Sequence, residues 1–280
     1  MLEFGDKVAV ITGAASGIGL GLARHCAREG MHVVVADLNG GQLQNLADEM
    51  VATGARAIAL TTDVSSPEAL EALANAAYSE FGQVDLLVNN AGVLISGFSW
   101  ERSIEDWQWI LNINLMGVVH GLHSFVPRMI AQDTPGHIVN ISSLAGLLAS
   151  PLMGPYTVSK QAVVALTETL HYELASLNAK LKTSVVCPGP ISTGIAHSGN
   201  GRPASSKISE EANQQVRAFL KMGIEQGVSP EECARKIFEG IRDEQFWIFT
   251  HEDFKTAYKS RADTVIESTN PVYQMYVTEE

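Results

Sequence analysis

The sequence predicts a single-domain α/β protein of three layers, in which a doubly wound parallel sheet lies between two layers of helices. Short apolar segments alternate with segments of helical periodicity from the first residues onward, as in chains that cover both faces of a sheet with helices. The strand segments are apolar throughout instead of alternating with polar residues, which is typical of parallel strands buried on both faces.

The elements follow one another in a regular order. Strands are predicted at 8–12, 32–37, 55–61, 84–88, 137–141, 182–187 and 246–250, where β-branched and other apolar residues cluster. Helices are predicted at 18–28, 40–52, 67–81, 103–131, 155–177, 210–226 and 230–242, and Pro67 stands in the first turn of the third. Residues 189–208 are rich in Gly, Pro and Ser and break the order, so we expect a lid there.

Composition and charge exclude several classes of protein. The 280 residues are 46% hydrophobic, enough for one large core, and the formal charge of −12 disfavours nucleic acid or an anionic membrane as partner. We expect no secretory signal, because no basic region followed by an apolar run opens the chain, and no uninterrupted apolar run is long enough to span a bilayer. The three cysteines lie far apart, which favours reduced thiols and a cytoplasmic protein, and no histidine set has metal-ligand spacing.

The turn after the first strand is rich in glycine. Gly13, Gly17 and Gly19 permit a tight turn and a close approach of backbone to a pyrophosphate, which would lie at the N-terminus of the next helix. A purely structural turn is the alternative. A Walker A loop is excluded because no Gly-Lys-Ser/Thr follows, and neither Ser16 nor Ser143 lies in the G-x-S-x-G motif of serine hydrolases.

Polar residues also follow the next three strands. Asp37 ends the second strand, where a carboxylate accepts hydrogen bonds from the hydroxyls of an adenosine ribose, although a turn aspartate is the plainer interpretation. Asp63 and Val64 follow the third strand and would bracket an adenine ring or begin the next helix. The segment 89–92, Asn-Asn-Ala-Gly, follows the fourth strand as a ligand contact or a simple turn.

Tyr156 and Lys160 lie four residues apart in a predicted helix and therefore on one face of it. A free tyrosine hydroxyl has a pKa near ~10, and a neighbouring ammonium favours the phenolate and lowers that pKa. Such a pair donates or accepts a proton at an oxygen-bearing carbon. The same spacing is common on solvated helix faces, so the pair gains meaning only from the rest of the chain.

In order and spacing, these motifs resemble the short-chain dehydrogenase/reductase family over nearly the whole chain. The matching elements are Thr12-Gly-x-x-x-Gly-x-Gly19, Asp63, the 89–92 segment, Asn114, Ser143, Tyr156-x-x-x-Lys160, and Pro188-Gly189 followed by Ile191 and Thr193. The resemblance implies a Rossmann fold. It implies that Tyr156 is the general acid-base, that Lys160 lowers its pKa and holds the nicotinamide ribose, that Ser143 bonds the reacting oxygen, and that Asn114 supports a water relay to Lys160.

A cofactor site follows from the same resemblance, with Ile191 and Thr193 on the nicotinamide carboxamide. We predict NAD rather than NADP, because Asp37 would face a 2′-phosphate as a like charge and neither Ala15, Ser16 nor Leu38 supplies a cation. The predicted cofactor residues are Gly13, Ser16, Gly17, Ile18, Gly19, Asp37, Leu38, Asp63, Val64, Asn90, Ala91, Gly92, Tyr156, Lys160, Pro188, Gly189, Ile191 and Thr193.

The substrate predicted by the resemblance is a hydrophobic secondary alcohol or its ketone, because the residues expected near the cleft are mostly apolar. They are Leu94, Ile95, Leu144, Leu152, Met153 and Ile195, with Phe219 and Met222 on the lid side. The alternative is that several of them pack the core. We expect a catalytic domain at 1–250 that includes a lid at 189–227. Residues 251–280 would be a polar C-terminal extension that either frames a neighbour's active site or is disordered.

Two other functions and an assembly complete the predictions. An NADPH-dependent reductase in biosynthesis and a non-catalytic dinucleotide-binding regulator remain as alternatives, and an intact set of Ser143, Tyr156 and Lys160 disfavours the regulator. Apolar residues cover every face of the predicted helix 103–131 and of the catalytic helix at 162–166, although a helix on a sheet needs one apolar face. In the family these helices pair between subunits, which predicts a homo-oligomer, as a tetramer or a dimer.

Overall fold

The computed structural model, which describes residues 3–201, 223 and 226–273, contains a seven-stranded, all-parallel sheet. The strand order is β3-β2-β1-β4-β5-β6-β7. The strands are β1 (Val8–Thr12), β2 (His32–Asp37), β3 (Ala57–Thr61), β4 (Leu86–Asn89), β5 (Gly136–Ile141), β6 (Leu181–Cys187) and β7 (Trp247–Phe249). Every strand agrees with the sequence prediction within two residues at each end.

Helices cover both faces of this sheet, so the predicted three-layer fold is confirmed. They are α1 (Gly17–Arg28), α2 (Gly40–Ala52), α3 (Pro67–Phe81), α4 (Ile104–Leu111), α5 (Gly117–Ala131), α6 (Gly154–Ser176), α7 (Pro230–Arg242) and α8 (Phe254–Ile266). Helices α1, α2 and α7 pack on one face and α3, α5 and α6 on the other. Successive side chains of β1 alternate between the two faces of the sheet: Ala9 and Ile11 pack on the first face, and Val10 packs on the second.

The strand order reverses between β1 and β4. In open parallel sheets, ligands bind outside the carboxyl ends of the strands at such a point. Here the turn after β1 and the turn after β4 meet, and the Asn90 side chain donates hydrogen bonds to the carbonyls of Thr12 at 2.9 Å and Gly13 at 3.1 Å. The topology therefore brings together two motifs that lie almost eighty residues apart in sequence.

The single helix predicted at 103–131 is interrupted by a π-helical turn, Asn112–Met116, between α4 and α5. The N–H of Gly117 bonds to the carbonyl of Asn112, five residues earlier, so one residue is added to the turn. In a regular helix, the step of eight residues from Ile110 to Val118 would place the two side chains ~80° apart around the helix axis. With one residue looped out of the turn, the step counts as seven residues and the angle is ~20°. Both side chains are buried. The sequence pattern places apolar residues on every face of this helix, and the change of register at the π turn explains part of that distribution.

The stretch Ile104–Ala131 is also long and apolar enough, by length and composition alone, to cross a membrane. Buried core helices pass the same test. In this fold Phe125 and Met129 are fully buried in the cluster under α3 and α6, and polar Asn114 is buried in the middle of the stretch. The stretch therefore packs as a core helix of the sheet.

The predicted polar extension after His251 contains a helix that the sequence did not predict. Helix α8 is mostly exposed, but its residue Ala257 is only 2% exposed. The predicted helix 210–226, apart from residues 223 and 226, and the substrate candidates Phe219 and Met222 lie outside the described residues. The described beginning of the predicted lid includes a 3-10 segment, Ile195–Gly201.

Candidate active site

A cleft of about 1330 Å³ opens at the carboxyl ends of the strands. It exceeds the roughly 300–1,000 Å³ of a pocket for a drug-sized molecule, so a dinucleotide and a second ligand fit the space. We call residues 13–18, 37–38, 62–64 and 90–92 the glycine-turn half, and residues 94, 144–153, 195–198 and 254–273 the apolar half. Tyr156 and Lys160 lie in the lining between the two.

The turn after β1 requires glycine at each of its three positions. Gly13 and Gly17 have φ of +66° and +55°, a region that side chains rarely adopt. A Cβ on Gly19 would lie 2.1 Å from the carbonyl oxygen of Gly13. Gly19 is buried and packs against the turn, and its contact with a cofactor stays a prediction.

The start of α1 has the character of an anion site. Ser16 stands at the cap position but makes no side-chain bond to the helix, so the N–H groups of the first turn face the cleft without a competing acceptor from that residue. Backbone donors and the helix dipole together favour a negative group at this place. The glycines also keep side chains out of the space in front of it, so a pyrophosphate fits this cradle.

Asp37 is held in position by two backbone groups. One carboxylate oxygen accepts from the N–H of Ala15 at 3.0 Å and the other from the N–H of Asn39 at 3.0 Å. Each oxygen keeps a second lone pair for a hydroxyl in the cleft. The Arg24 guanidinium bonds to Glu49 instead, so its positive charge does not pair with Asp37. The neighbouring Leu38 side chain is 65% exposed at the cleft edge.

Asp63 and Val64 close the far end of the glycine-turn half. Asp63 accepts hydrogen bonds from the N–H and the hydroxyl of Ser65, at 2.9 and 2.7 Å, so its carboxylate partly acts as a turn group. Both residues belong to the cleft lining, as predicted. Ser66, and not Asp63, caps α3.

Lys160 is anchored beneath the cleft, one turn beyond Tyr156 on α6. Its Nζ atom donates to the carbonyl of Ile141 at 2.9 Å and lies 5.8 Å from the centroid of the Tyr156 ring. Ser143 follows β5; its hydroxyl accepts from the N–H of Ala145 at 3.1 Å and lies close enough to Tyr156 to lower the pKa of the phenol. The structure thus brings Ser143, Tyr156 and Lys160 together.

Asn114 belongs to the π turn, and the extra residue of that turn leaves its side chain buried beneath the site. Its amide oxygen accepts from the N–H of Val93 at 2.8 Å, while its amide nitrogen donates to the Val93 carbonyl at 2.9 Å and to Ser159 at 3.0 Å. Asn114 is not in the cleft lining. Its side chain therefore fixes the chain after β4 and reaches α6.

Burial governs the proton affinities at the site. It raises the pKa of Tyr156 above its usual value, and the hydrogen bond with Ser143 partly offsets this. Burial also lowers the pKa of Lys160 to about 8. The predicted lowering of the tyrosine pKa by Lys160 is therefore not achieved by the protein's own groups, because desolvation dominates.

The segment after β6 forms the third wall and includes Pro188, Gly189, Ile191 and Thr193. The N–H of Gly189 donates to Thr250 at 3.0 Å, and the Thr250 hydroxyl is 2.7 Å from Nδ1 of His251. A Cβ on Gly189 would meet the His251 ring at 2.6 Å. Sequence analysis missed Thr250 and His251, since only the pairing of β6 with β7 brings them here.

Most of the residues predicted to lie near the substrate line the apolar half of the cleft. Leu94, Leu144, Leu152, Met153 and Ile195 line the cleft. Ile95 does not: it is 3% exposed and packs with Ile110 and Tyr156. The Ser198 hydroxyl closes the wall by accepting from the N–H of Leu94 at 2.8 Å and donating to the carbonyl of Ile195 at 2.7 Å.

The C-terminal extension supplies lining that the sequence did not predict. The contributing residues are Phe254, Ser260, Arg261, Thr264, Pro271, Val272 and Tyr273. They belong to the same chain as the cleft, so in this structure the extension lies over its own cleft. The sequence pattern of residues 251–273 does not predict that the extension covers the cleft, because α8 buries few side chains and its apolar periodicity is weak.

Comparison with known proteins gives a consistent result. The model of the short chain dehydrogenase family matches residues 7–203. A CLA biosynthesis dehydrogenase/reductase of Lactiplantibacillus plantarum is 34% identical over 97% of each chain, and a C alpha-dehydrogenase of a Sphingobium species is 34% identical over 97% of this chain and 89% of that protein. A short chain dehydrogenase/reductase from Burkholderia phymatum, solved in complex with NAD, superposes with a TM-score of 0.95 at 40% identity, over 99% of this chain and all of that one.

Proposed function

The chain belongs to the short-chain dehydrogenase family and is an oxidoreductase, and from that premise we propose that it interconverts a hydrophobic secondary alcohol and its ketone with NAD. One observation carries the proposal. Ser143, Tyr156 and Lys160 meet at the boundary between a glycine turn and an apolar half of the same cleft. A proton-transfer set in that position serves a hydroxyl on a hydrophobic molecule.

The protein's part in the reaction is position and proton transfer. Tyr156, as the phenolate, takes the proton of the substrate hydroxyl, and in reduction it returns that proton. Ser143 holds the substrate oxygen beside the phenol, and Lys160 supplies a positive charge that favours the phenolate. Asn114 is a positioning residue. Its hydrogen bonds fix Val93 in the loop after β4 and Ser159 on α6, next to Lys160. The nicotinamide, when bound, supplies the hydride chemistry.

NAD rather than NADP is the proposed cofactor. Both oxygens of Asp37 are fixed by backbone N–H groups, so the carboxylate is not free to turn away from a 2′-phosphate. A like charge in such a position disfavours the 2′-phosphate of NADP. The Burkholderia phymatum relative was solved with NAD. Those observations support the cofactor residues that the sequence predicts, and Gly19 also packs against the turn.

The organisation of the whole molecule is part of the proposal. Residues 1–250 form the catalytic domain with a lid at 189–227, and 251–280 form an extension. We propose a homo-oligomer, because α5 and α6 leave large side chains outward. Val158 is 47% exposed and Tyr172 is 67% exposed on α6. Light scattering at micromolar protein tests this, and a monomeric mass would contradict it.

The function is tested by following absorbance at 340 nm with NAD and with NADP against a panel of secondary alcohols and their ketones. We expect oxidation of bulky apolar alcohols with NAD, and a loss of activity in Tyr156→Phe. Activity only with NADP, in the direction of reduction, would favour the biosynthetic reductase. Cofactor binding without turnover of any alcohol or ketone would favour the regulator.

A further inference from the structure

The C-terminal helix α8 places one face on the cleft. Phe254, Ala257, Arg261 and Thr264 are spaced by three, four and three residues, which puts them on a single face of a helix. Ala257 is buried, and the other three line the cleft. Arg261 is therefore directed to the cleft by the register of the helix, in the middle of its inward face.

Arg261 is exposed and carries its charge into a half of the cleft whose described lining is mostly apolar. The lining of that half includes Leu94, Leu148 and Val272. Within the described part of the chain, the acidic residues of the lining are Asp37 and Asp63, which belong to the glycine-turn half. Among the residues that the structure describes, no carboxylate forms an ion pair with the Arg261 guanidinium, whereas Lys255 on the same helix pairs with Glu252. The protein as a whole has a net charge of −12, so an anion entering the cleft needs such a local cation.

We propose that Arg261 binds a carboxylate on the substrate, so that the preferred substrates are hydrophobic hydroxy acids whose acid group lies away from the reacting carbon. This inference rests on the proposed function. A guanidinium presents paired donors that match the two oxygens of a carboxylate. The apolar half would then enclose the hydrocarbon between Tyr156 and Arg261.

The anion is assigned to the substrate and not to the cofactor for two reasons. The cradle at the start of α1 already offers backbone donors to a pyrophosphate, and Asp37 marks the ribose end of the cleft. Helix α8 begins instead beside the opposite wall, where the Phe254 ring lies 6.0 Å from the His251 ring over Gly189. Arg261 follows seven residues later, ~10 Å further along the helix axis.

A matched pair of substrates tests the proposal. The first is 9-hydroxydecanoic acid, and the second is its methyl ester, which keeps the alcohol and the hydrocarbon but carries no charge. For the wild-type protein with NAD, we expect kcat/KM for the acid to exceed that for the ester by about tenfold, since hydrogen bonds to charged groups typically have effects of that size or more.

Three variants separate the role of the charge from that of the helix. Arg261→Gln should lose about tenfold in kcat/KM for the acid and nothing for the ester. Arg261→Lys should keep most of the preference for the acid. Lys259→Gln is the control: it removes one positive charge from the same helix, two residues away and so on another face, outside the cleft lining. It should leave both substrates unchanged.

The other outcomes overturn the inference. Equal losses for acid and ester in Arg261→Gln would mean a structural role, and a raised KM for NAD would mean that the cation serves the cofactor's phosphates. If no alcohol is oxidised, the proposed function fails, and calorimetric binding of decanoate decides the inference separately. Binding that is about tenfold weaker in Arg261→Gln than in Lys259→Gln supports a carboxylate site, and equal binding overturns it.

Discussion

The glycine-turn half of the cleft is held together by hydrogen bonds between side chains and backbone groups next to strand ends, whereas the apolar half is assembled from loops and the end of the chain. In the first, Asp37 and Asn90 bond directly to the turn after β1. In the second, one bond from Leu94 to Ser198 joins segments 104 residues apart. The difference teaches that cofactor recognition is built into the sheet, while substrate recognition depends on segments that vary without disturbing it.

The largest expected effect lies at the boundary of the two halves. Tyr156→Phe removes the proton-transfer group but keeps the ring, so kcat/KM for alcohol oxidation should fall by about 10³, within the range for general acid-base groups. The affinity for NAD should stay within about twofold, because the ring that lines the cleft is kept and the other predicted cofactor residues are unchanged. Stopped-flow kinetics and calorimetry measure the two. Retained turnover would remove Tyr156 from the mechanism.

The next effect concerns the glycine-turn half alone. Gly19→Ala places a Cβ 2.1 Å from the Gly13 carbonyl, which displaces the turn, and we expect NAD binding to weaken by about 100-fold, or roughly 3 kcal/mol. Gly41→Ala is the matched control, since its Cβ would meet no atom closer than 3.9 Å. Circular dichroism of both variants checks folding. Normal NAD affinity in a folded Gly19→Ala would contradict the packing role.

The pH dependence of kcat/KM reports on the proton-transfer step at Tyr156 and not on binding in either half of the cleft. Because burial raises the pKa of Tyr156, the phenolate fraction at pH 7 is small and rises about tenfold per pH unit. The value of kcat/KM for oxidation should therefore increase above pH 7. It should increase less steeply beyond about pH 8, where Lys160, with a pKa of about 8, loses its charge. A flat or falling profile from about pH 7 to 9 would rule out the tyrosine as base.

A smaller effect tests how the glycine-turn half chooses its cofactor. Asp37→Ala should reduce the preference for NAD over NADP by about tenfold, because the like charge facing a 2′-phosphate is gone. Kinetics with both cofactors give the ratio. Asp48→Ala, on the exposed side of α2, removes the same charge elsewhere and should leave the ratio as it is. An unchanged preference in Asp37→Ala would assign Asp37 to the turn alone.

The smallest effect belongs to the apolar half. Ser198→Ala leaves the N–H of Leu94 without its acceptor and frees one edge of the wall, so the substrate KM should rise about fivefold, close to 1 kcal/mol, with the KM for NAD unchanged. Ser176→Ala is the control, since its hydroxyl also bonds a backbone carbonyl but at the distant end of α6. If both KM values rose together, the two halves would not be separable.

The sequence predicted the sheet and the glycine-turn half because both depend on local patterns. Apolar runs mark the strands, and residues after parallel strands meet at one edge whatever the loops do. Gly13, Asp37 and Asn90 were found in this way. The contacts of Thr250 and His251 were not, because they depend on β7 lying beside β6.

Other features depended on three-dimensional packing. Ile95 and Leu94 have the same chemistry, and only the turn of the loop decides which one lines the cleft. Helix α8 has few buried side chains, so its periodicity is weak in the sequence. The pKa of Tyr156 depends on burial, which spacing alone does not give.

The π turn at Asn112–Met116 also limits how this part of the chain can change over time. Loss of one residue there would convert the π turn into a regular helix and leave Phe125 and Met129 facing the sheet, but it would remove the extra residue of the turn from which Asn114 reaches Val93. Gain of one residue would rotate α5 by ~100° and turn Phe125 and Met129 away from the sheet. Amino-acid replacements can accumulate along this stretch, but its length is constrained in both directions, since Asn114 must reach Val93 while the later turns must still cover the core.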